Sequence, residues 1–134
     1  KLVSIKEYQK DSQINIILPK DSRDTKIKFI SESANLTIND LLYQSIFVQT
    51  KSGEIIMHDI DGSETKIENT TGDIRMQMDE SVLNYNLKFK STLGKIYKET
   101  LEEKEPEFLE SLHNLEATTT SGDVSALFLG RKKH

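Results

Sequence analysis

The residues whose types and spacing could do chemistry here are acids and histidines. Asp59-Ile60-Asp61-Gly62-Ser63-Glu64 alternates oxygen donors as the first part of a calcium loop does. A complete loop needs further ligands closing on a bidentate Glu, between two helices. The flanks of this segment alternate like strands, and Asp-Gly is a common turn pair, so a turn is the ordinary account of it. A second set follows glycines: Glu54, Asp73 and Asp123, with Asn35 and Lys95 at the equivalent places. Stacked acids could hold a cation or share general acid–base work. In sequence order, however, Lys95 interrupts that column between Asp73 and Asp123, and an acid after glycine is also plain turn chemistry.

His58, His113 and His134 have no metal-ligand spacing and read as surface histidines. There is no Gly-x-Ser-x-Gly elbow, phosphate-cradling glycine loop or dinucleotide fingerprint. Tyr8, Tyr43, Tyr85 and Tyr97 could stack on a carbohydrate, but they share no repeat position, and packing explains them equally well. The expectation is a protein without catalytic, cofactor-binding or metal-ligating residues, and not an enzyme.

The elements that would carry these residues repeat. Thr50-Lys51-Ser52-Gly53-Glu54-Ile55, Asn69-Thr70-Thr71-Gly72-Asp73-Ile74, Ser91-Thr92-Leu93-Gly94-Lys95-Ile96 and Thr119-Thr120-Ser121-Gly122-Asp123-Val124 share one pattern, and Ser31-Glu32-Ser33-Ala34-Asn35-Leu36 is a copy without glycine. The structural turn positions are Ala34, Gly53, Gly72, Gly94 and Gly122, spaced by 19, 19, 22 and 28 residues. Two residues after each comes Leu36, Ile55, Ile74, Ile96 or Val124, and four after comes Ile38, Met57, Met76, Lys98 or Ala126. Five before comes Phe29, Val48, Ile67, Phe89 or Ala117, and seven before comes Ile27, Ile46, Thr65, Leu87 or Leu115. Alternation with period two means strands. The position three before each turn is always small and polar: Ser31, Thr50, Asn69, Ser91 and Thr119.

Each repeat therefore reads as strand, Ser/Thr-Gly-acid turn, strand. Stacking the repeats continues every apolar column into the next rung. The fold class expected is all-β, a single-stranded right-handed β-helix-like solenoid of repeats about 19–22 residues long, with a ladder of Ser, Thr and Asn inside. An antiparallel meander is the other architecture these strands allow; the constant register favours the solenoid.

The chain divides into an N-terminal cap or first rung at 1–26, repeats at 27–130 and a basic tail at 131–134, all in one domain. The longest spacing contains an insertion at about 98–114, expected to be a short helix or loop. Between Lys98 and Glu110 there are six Glu and two Lys, a net of −4 that equals the charge of the whole chain. Glu102, Glu103, Glu105, Glu107, Phe108 and Glu110 make this insertion the place to expect partner contact, although covering a side of the core is its ordinary role.

With 22 acidic and 18 basic residues the chain is not a default nucleic-acid binder. No cysteine is present, which removes disulfides and thiolate sites and leaves the compartment open. No apolar run reaches the ~20 residues of a membrane span. The chain starts at Lys1, so an upstream leader or anchor is expected to have been removed.

The Thr-x-Ser/Thr-Gly-acid-Ile motif, in Thr50–Ile55 and Thr119–Val124, resembles the adhesin-type family of bacterial β-strand repeat proteins that includes LiaG-like and YvlB-like domains. The resemblance spans about residues 27–130 and departs at Ala34, at Leu93 and at the acidic insertion. It implies a cell-envelope domain, anchored through a missing N-terminal segment, with a binding or scaffolding role, a protein or cell-wall partner and no established catalysis. A self-assembling solenoid scaffold and a glycan-active β-helix enzyme are the alternatives.

Overall fold

The structure is a computed structural model that describes residues 2–7, 12–16, 21–103 and 111–131. Its strands are β1 (Leu2–Glu7), β2 (Ser12–Ile16), β3 (Asp21–Ser52), β4 (Ile55–Thr71), β5 (Ile74–Met78), β6 (Tyr85–Ser91), β7 (Ile96–Thr100), β8 (His113–Thr119) and β9 (Val124–Phe128). A 3-10 turn at Val82–Asn84 precedes β6. Every strand pairing is parallel, as a solenoid requires and a meander forbids. β3 and β4 are long because the chain rounds the coil without leaving extended geometry. It bends where Asp40 and Asp59 adopt φ of 58° and 54°. These two lie at one corner of neighbouring rungs, since Asn39 pairs with His58 and Leu41 with Ile60. Asp is among the few residues that visit this region readily.

The coil has two faces. Along the first run β1, residues 26–31 and then 45–50 of β3, residues 64–68 of β4, β8 and β6. Along the second run β2, residues 34–38, residues 55–58, β5, β9 and β7. The turns therefore stack in the order 34, 53, 72, 122, 94. The last two rungs are exchanged relative to the sequence. After β5 the chain crosses through Val82–Asn84, builds β6 and β7 as the outermost rung, and returns so that β8 and β9 fill the place between. That return accounts for the longest repeat spacing.

The exchange has a physical reason. Register places Glu116 between Lys66 and Lys88 on the outer side of the first face. Stacked in sequence order, the two lysines would face each other. The exchange also puts Lys98 at the end of its column instead of between Met76 and Ala126. A charge held within an apolar column without a partner is strongly destabilising.

The repeat columns are the core. Ile27, Phe29, Leu36, Ile38, Ile46, Val48, Ile55, Met57, Ile67, Ile74, Met76, Leu115, Ala117, Val124 and Ala126 are all buried. Burial of each large side chain contributes roughly 1.5–3 kcal/mol. Only the outermost rung departs: Leu87 and Phe89 are partly buried, and Ile96 and Lys98 are exposed.

Ser31, Thr50, Asn69 and Thr119 are buried, so the polar ladder does lie inside. From Gly53 onward it ties each turn to its neighbour. Asn69 Nδ2 donates to the Gly53 carbonyl (3.0 Å), Thr119 Oγ1 to that of Gly72 (3.2 Å) and Ser91 Oγ to that of Gly122 (2.6 Å). The turns also approach closely. Gly72 has φ 126°, and the Gly72 carbonyl occupies the place of a side chain on Gly122.

The insertion is narrower than its sequence bounds. Lys98–Thr100 belong to β7, and residues 101–103 and 111–112 flank it outside strands. Glu105, Glu107, Phe108 and Glu110 lie outside the described residues, as do Tyr8 and His134.

Candidate functional site

Two of the acids that follow the turns, Asp73 and Asp123, are occupied with backbone. Asp73 Oδ1 accepts from the amide of Asp123 (2.9 Å), and Asp123 Oδ1 accepts from the amide of Lys95 (2.8 Å). Asn35 Oδ1 does the same for Glu54 (2.9 Å). Because of the exchanged rungs, Asp73 and Asp123 are neighbours and Lys95 ends the column, where sequence order had placed Lys95 between them. Each side chain satisfies an N–H of the next turn, which is capping and not acid–base chemistry.

The Asp59–Glu64 segment does not converge on a cation either. Asp59 pairs with Arg131 and accepts from Gln77 Nε2 (2.8 Å). Asp61 is buried and accepts from Tyr85 OH (2.7 Å), with His113 Nδ1 at 3.1 Å. Glu64 accepts from Asn114 Nδ2 (3.0 Å). Among the described residues no group of three or more His, Asp or Glu is placed to hold a metal.

Asp61, Tyr85 and His113 belong to a buried polar corner where the exchanged rungs begin. Tyr43 OH and Thr65 Oγ1 are 2.5 Å apart, Asn84 Nδ2 donates to Glu80 Oε1 (3.0 Å), and Ser81 Oγ donates to Glu102 Oε1 (2.8 Å). Burial raises the pKa of both Tyr43 and Tyr85, and the charge of Asp61 adds to it. Both phenols stay protonated. The hydrogen bonds of this corner staple neighbouring rungs together. His113, expected at the surface, is only 18% exposed and serves in it.

Arg131 fastens the other side of the same corner. It pairs with Asp59, with Asp79 (2.6 Å) and, at 4.0 Å, with Glu103. Desolvation opposes ionisation of Asp59, but Gln77 and Arg131 together hold its carboxyl below the usual range. Burial prevails at Asp79 and raises it, despite the bond from Arg131. Glu102 and Glu103 of the acidic insertion are thus engaged within the fold.

The outer side of the second face is a surface with unengaged groups. A cleft of about 340 Å³ is lined there by Ile56, His58, Arg75, Gln77, Tyr97, Glu99, Ser125 and Leu127. Register explains its shape. Ile56, Arg75, Ser125 and Tyr97 form one outward row, and the small Ser125 leaves a depression between Arg75 and Tyr97. Gln77, Leu127 and Glu99 form the next row. Arg75, His58, Glu99 and Tyr97 are exposed, with partly buried Ile56 and Leu127 as apolar floor. An apolar floor with a few convergent polar groups is what a ligand cleft needs. A second cleft, over Ile30, Gln49, Thr50 and Glu68 on the first face, already spends its polar groups in the Gln49–Glu68 hydrogen bond and the nearby Lys51–Glu32 ion pair.

None of the cleft residues was marked by the repeat pattern except as outward positions between apolar columns. Of the three described tyrosines only Tyr97 reaches it, while Tyr43 and Tyr85 are buried.

The model of the Toastrack DUF4097 family matches residues 5–133. The chain belongs to that family. The match covers every strand of the stack from within β1 onward, so the exchanged rung lies inside the matched region. No curated protein and no solved structure matches this chain. The Toastrack assignment agrees with the β-strand repeat read from the sequence.

Proposed function

We propose that this Toastrack domain is a non-catalytic binding module of a bacterial cell envelope, and that it captures its ligand in the cleft on the outer side of the second face. The observation that carries the reading is the set of unengaged groups around the Ser125 depression. Arg75 offers a planar fork for a carboxylate or phosphate, and Tyr97 a flat ring for the apolar side of a sugar. These fit an acidic glycan of the cell wall. The rigid parallel ladders below hold both groups at fixed separation, which limits the entropy lost on binding.

Titration of isotope-labelled protein with soluble cell-wall glycan fragments tests the site. Amide shifts should cluster on β5, β7 and β9, and Arg75→Ala or Tyr97→Ala should weaken binding about tenfold or more. Shifts confined to other surfaces, or variants that bind normally, remove the cleft from consideration. Protease shaving of intact cells tests the location separately, because an envelope domain is cut while a cytoplasmic one is spared.

A further inference from the structure

All six exposed large apolar residues of the described structure lie between positions 83 and 112: Leu83, Leu93, Ile96, Tyr97, Leu101 and Leu112. They belong to the outermost rung and to the chain entering and leaving it. Among the described side chains the rungs beneath expose none. Among the described residues β6 pairs only with β8, and β7 only with β9. Among the described residues the outer edge of both strands is open, which is a template for an added strand.

Along β6 and into β7 as far as Lys98, before Glu99, the charge is one-sided. From Leu87 to Lys98 there are four lysines, Lys88, Lys90, Lys95 and Lys98, and no acid. The stack already shows what a neighbour of Lys88 looks like, since its partner on β8 is Glu116, and Glu116 also faces Lys66. Continuing that alternation puts an acid opposite Lys88. Lys90 lies two residues on and points the same way. Between and beside them Leu87 and Phe89 turn towards the core. An incoming strand would alternate acid and apolar residues. The second half of the rung is different, because its inward column ends in Lys98. A complete further rung, such as a second copy would supply, would set an apolar residue against that charge. The edge fits a single strand and not another stack.

We propose that the open edge of β6 is a docking site for one extended segment of a partner protein in which Glu or Asp alternates with aliphatic residues. This surface is independent of the cleft on the second face.

The test uses the whole chain and two synthetic peptides, one alternating Glu with Val and one alternating Lys with Val. The acidic peptide should shift the β6 amides and slow their hydrogen exchange, and its binding should weaken as salt is added. Lys88→Glu/Lys90→Glu should bind it about tenfold more weakly and should gain binding of the lysine peptide. That reciprocal gain separates lost complementarity from a damaged fold. Protection of the β6 edge amides in the free protein, binding of the acidic peptide elsewhere, or failure of the charge swap to transfer preference would each overturn the proposal. So would binding to phosphatidylglycerol vesicles with no response to either peptide, which would make the edge a lipid surface.

Discussion

The ring of Tyr43 lies against the backbone of Gly62, where a side chain at position 62 would have to go. The phenol then reaches Thr65 from inside the stack. The Asp-Gly pair thus sits in the corner for a packing reason: Asp61 holds Tyr85, and Gly62 makes room for Tyr43. Gly62→Ala should destabilise by about 1–3 kcal/mol through overpacking. Tyr43→Phe keeps the ring and forfeits only the hydroxyl contact, at about 1 kcal/mol. Urea denaturation of both variants checks the order; a Gly62→Ala variant as stable as wild type would mean the ring can move aside.

Tyr43 and Tyr85 also set the alkaline limit. Burial raises both folded-state pKa values above the ordinary tyrosine value. The unfolded chain then loses these protons first. Their contribution is complete below the unfolded value of ~10 and declines as pH rises from there towards the folded values. Tyrosinate absorbance and circular dichroism followed together during alkaline titration check this. The buried pair should ionise only together with loss of the β-sheet circular dichroism signal. Ionisation of Tyr43 and Tyr85 before any unfolding would contradict the buried corner.

The acids after the turns separate a structural role from a chemical one. Asp73 accepts from the Asp123 amide. Asp73→Ala leaves that amide without its acceptor and should cost about 1 kcal/mol, whereas Asp73→Asn retains an oxygen and should cost less. A catalytic or cation-binding carboxylate would behave otherwise, because Asn would fail as completely as Ala. Thermal melts of the two variants, with and without added calcium, check this.

What the sequence exposed and what it hid follow from the same geometry. The columns were legible because a stacked strand must repeat its inward residues, so Phe29, Val48, Ile67 and Ala117 align whatever the order of the rungs. The order was not legible, because a column is unchanged when two rungs trade places. The unequal spacing before Gly122 and the misfit Lys98 were its traces. The cleft was hidden for another reason. It lies on outward positions, where nothing imposes a period, and its shape depends on Ser125 standing between Arg75 and Tyr97, which are far from it in sequence.

Lys98 is placed where it would oppose self-stacking at the outermost rung. It occupies an inward column that is apolar in every other rung. Inward charges on edge strands are a known defence against edge-to-edge association. Lys98→Met should extend the apolar column to the surface and produce concentration-dependent association, while the wild-type chain stays monomeric. Sedimentation velocity over a concentration series measures the difference. Wild-type oligomers that persist at high salt would favour the self-assembling reading instead.

The exchanged rung makes a prediction about truncation that an ordinary solenoid would not. In a stack built in sequence order, removing the last repeat exposes one rung and leaves the rest standing. Here β8 and β9 lie between β4–β5 and β6–β7, so ending the chain after Glu103 removes interior strands. Closing the gap would bring Lys88 opposite Lys66 and Lys98 opposite Met76, by the registers each shares with β8 and β9. Like charges directly across a ladder are destabilising. The truncated chain should therefore lose cooperative unfolding, whereas a chain starting at Asp21, which lacks only β1 and β2 at the far end, should keep it. Calorimetry on the two truncations decides the matter. A cooperative transition for the chain ending at Glu103 would show that β6 and β7 can stack directly on β4 and β5, and that the exchange is a preference of the complete chain and not a condition for folding.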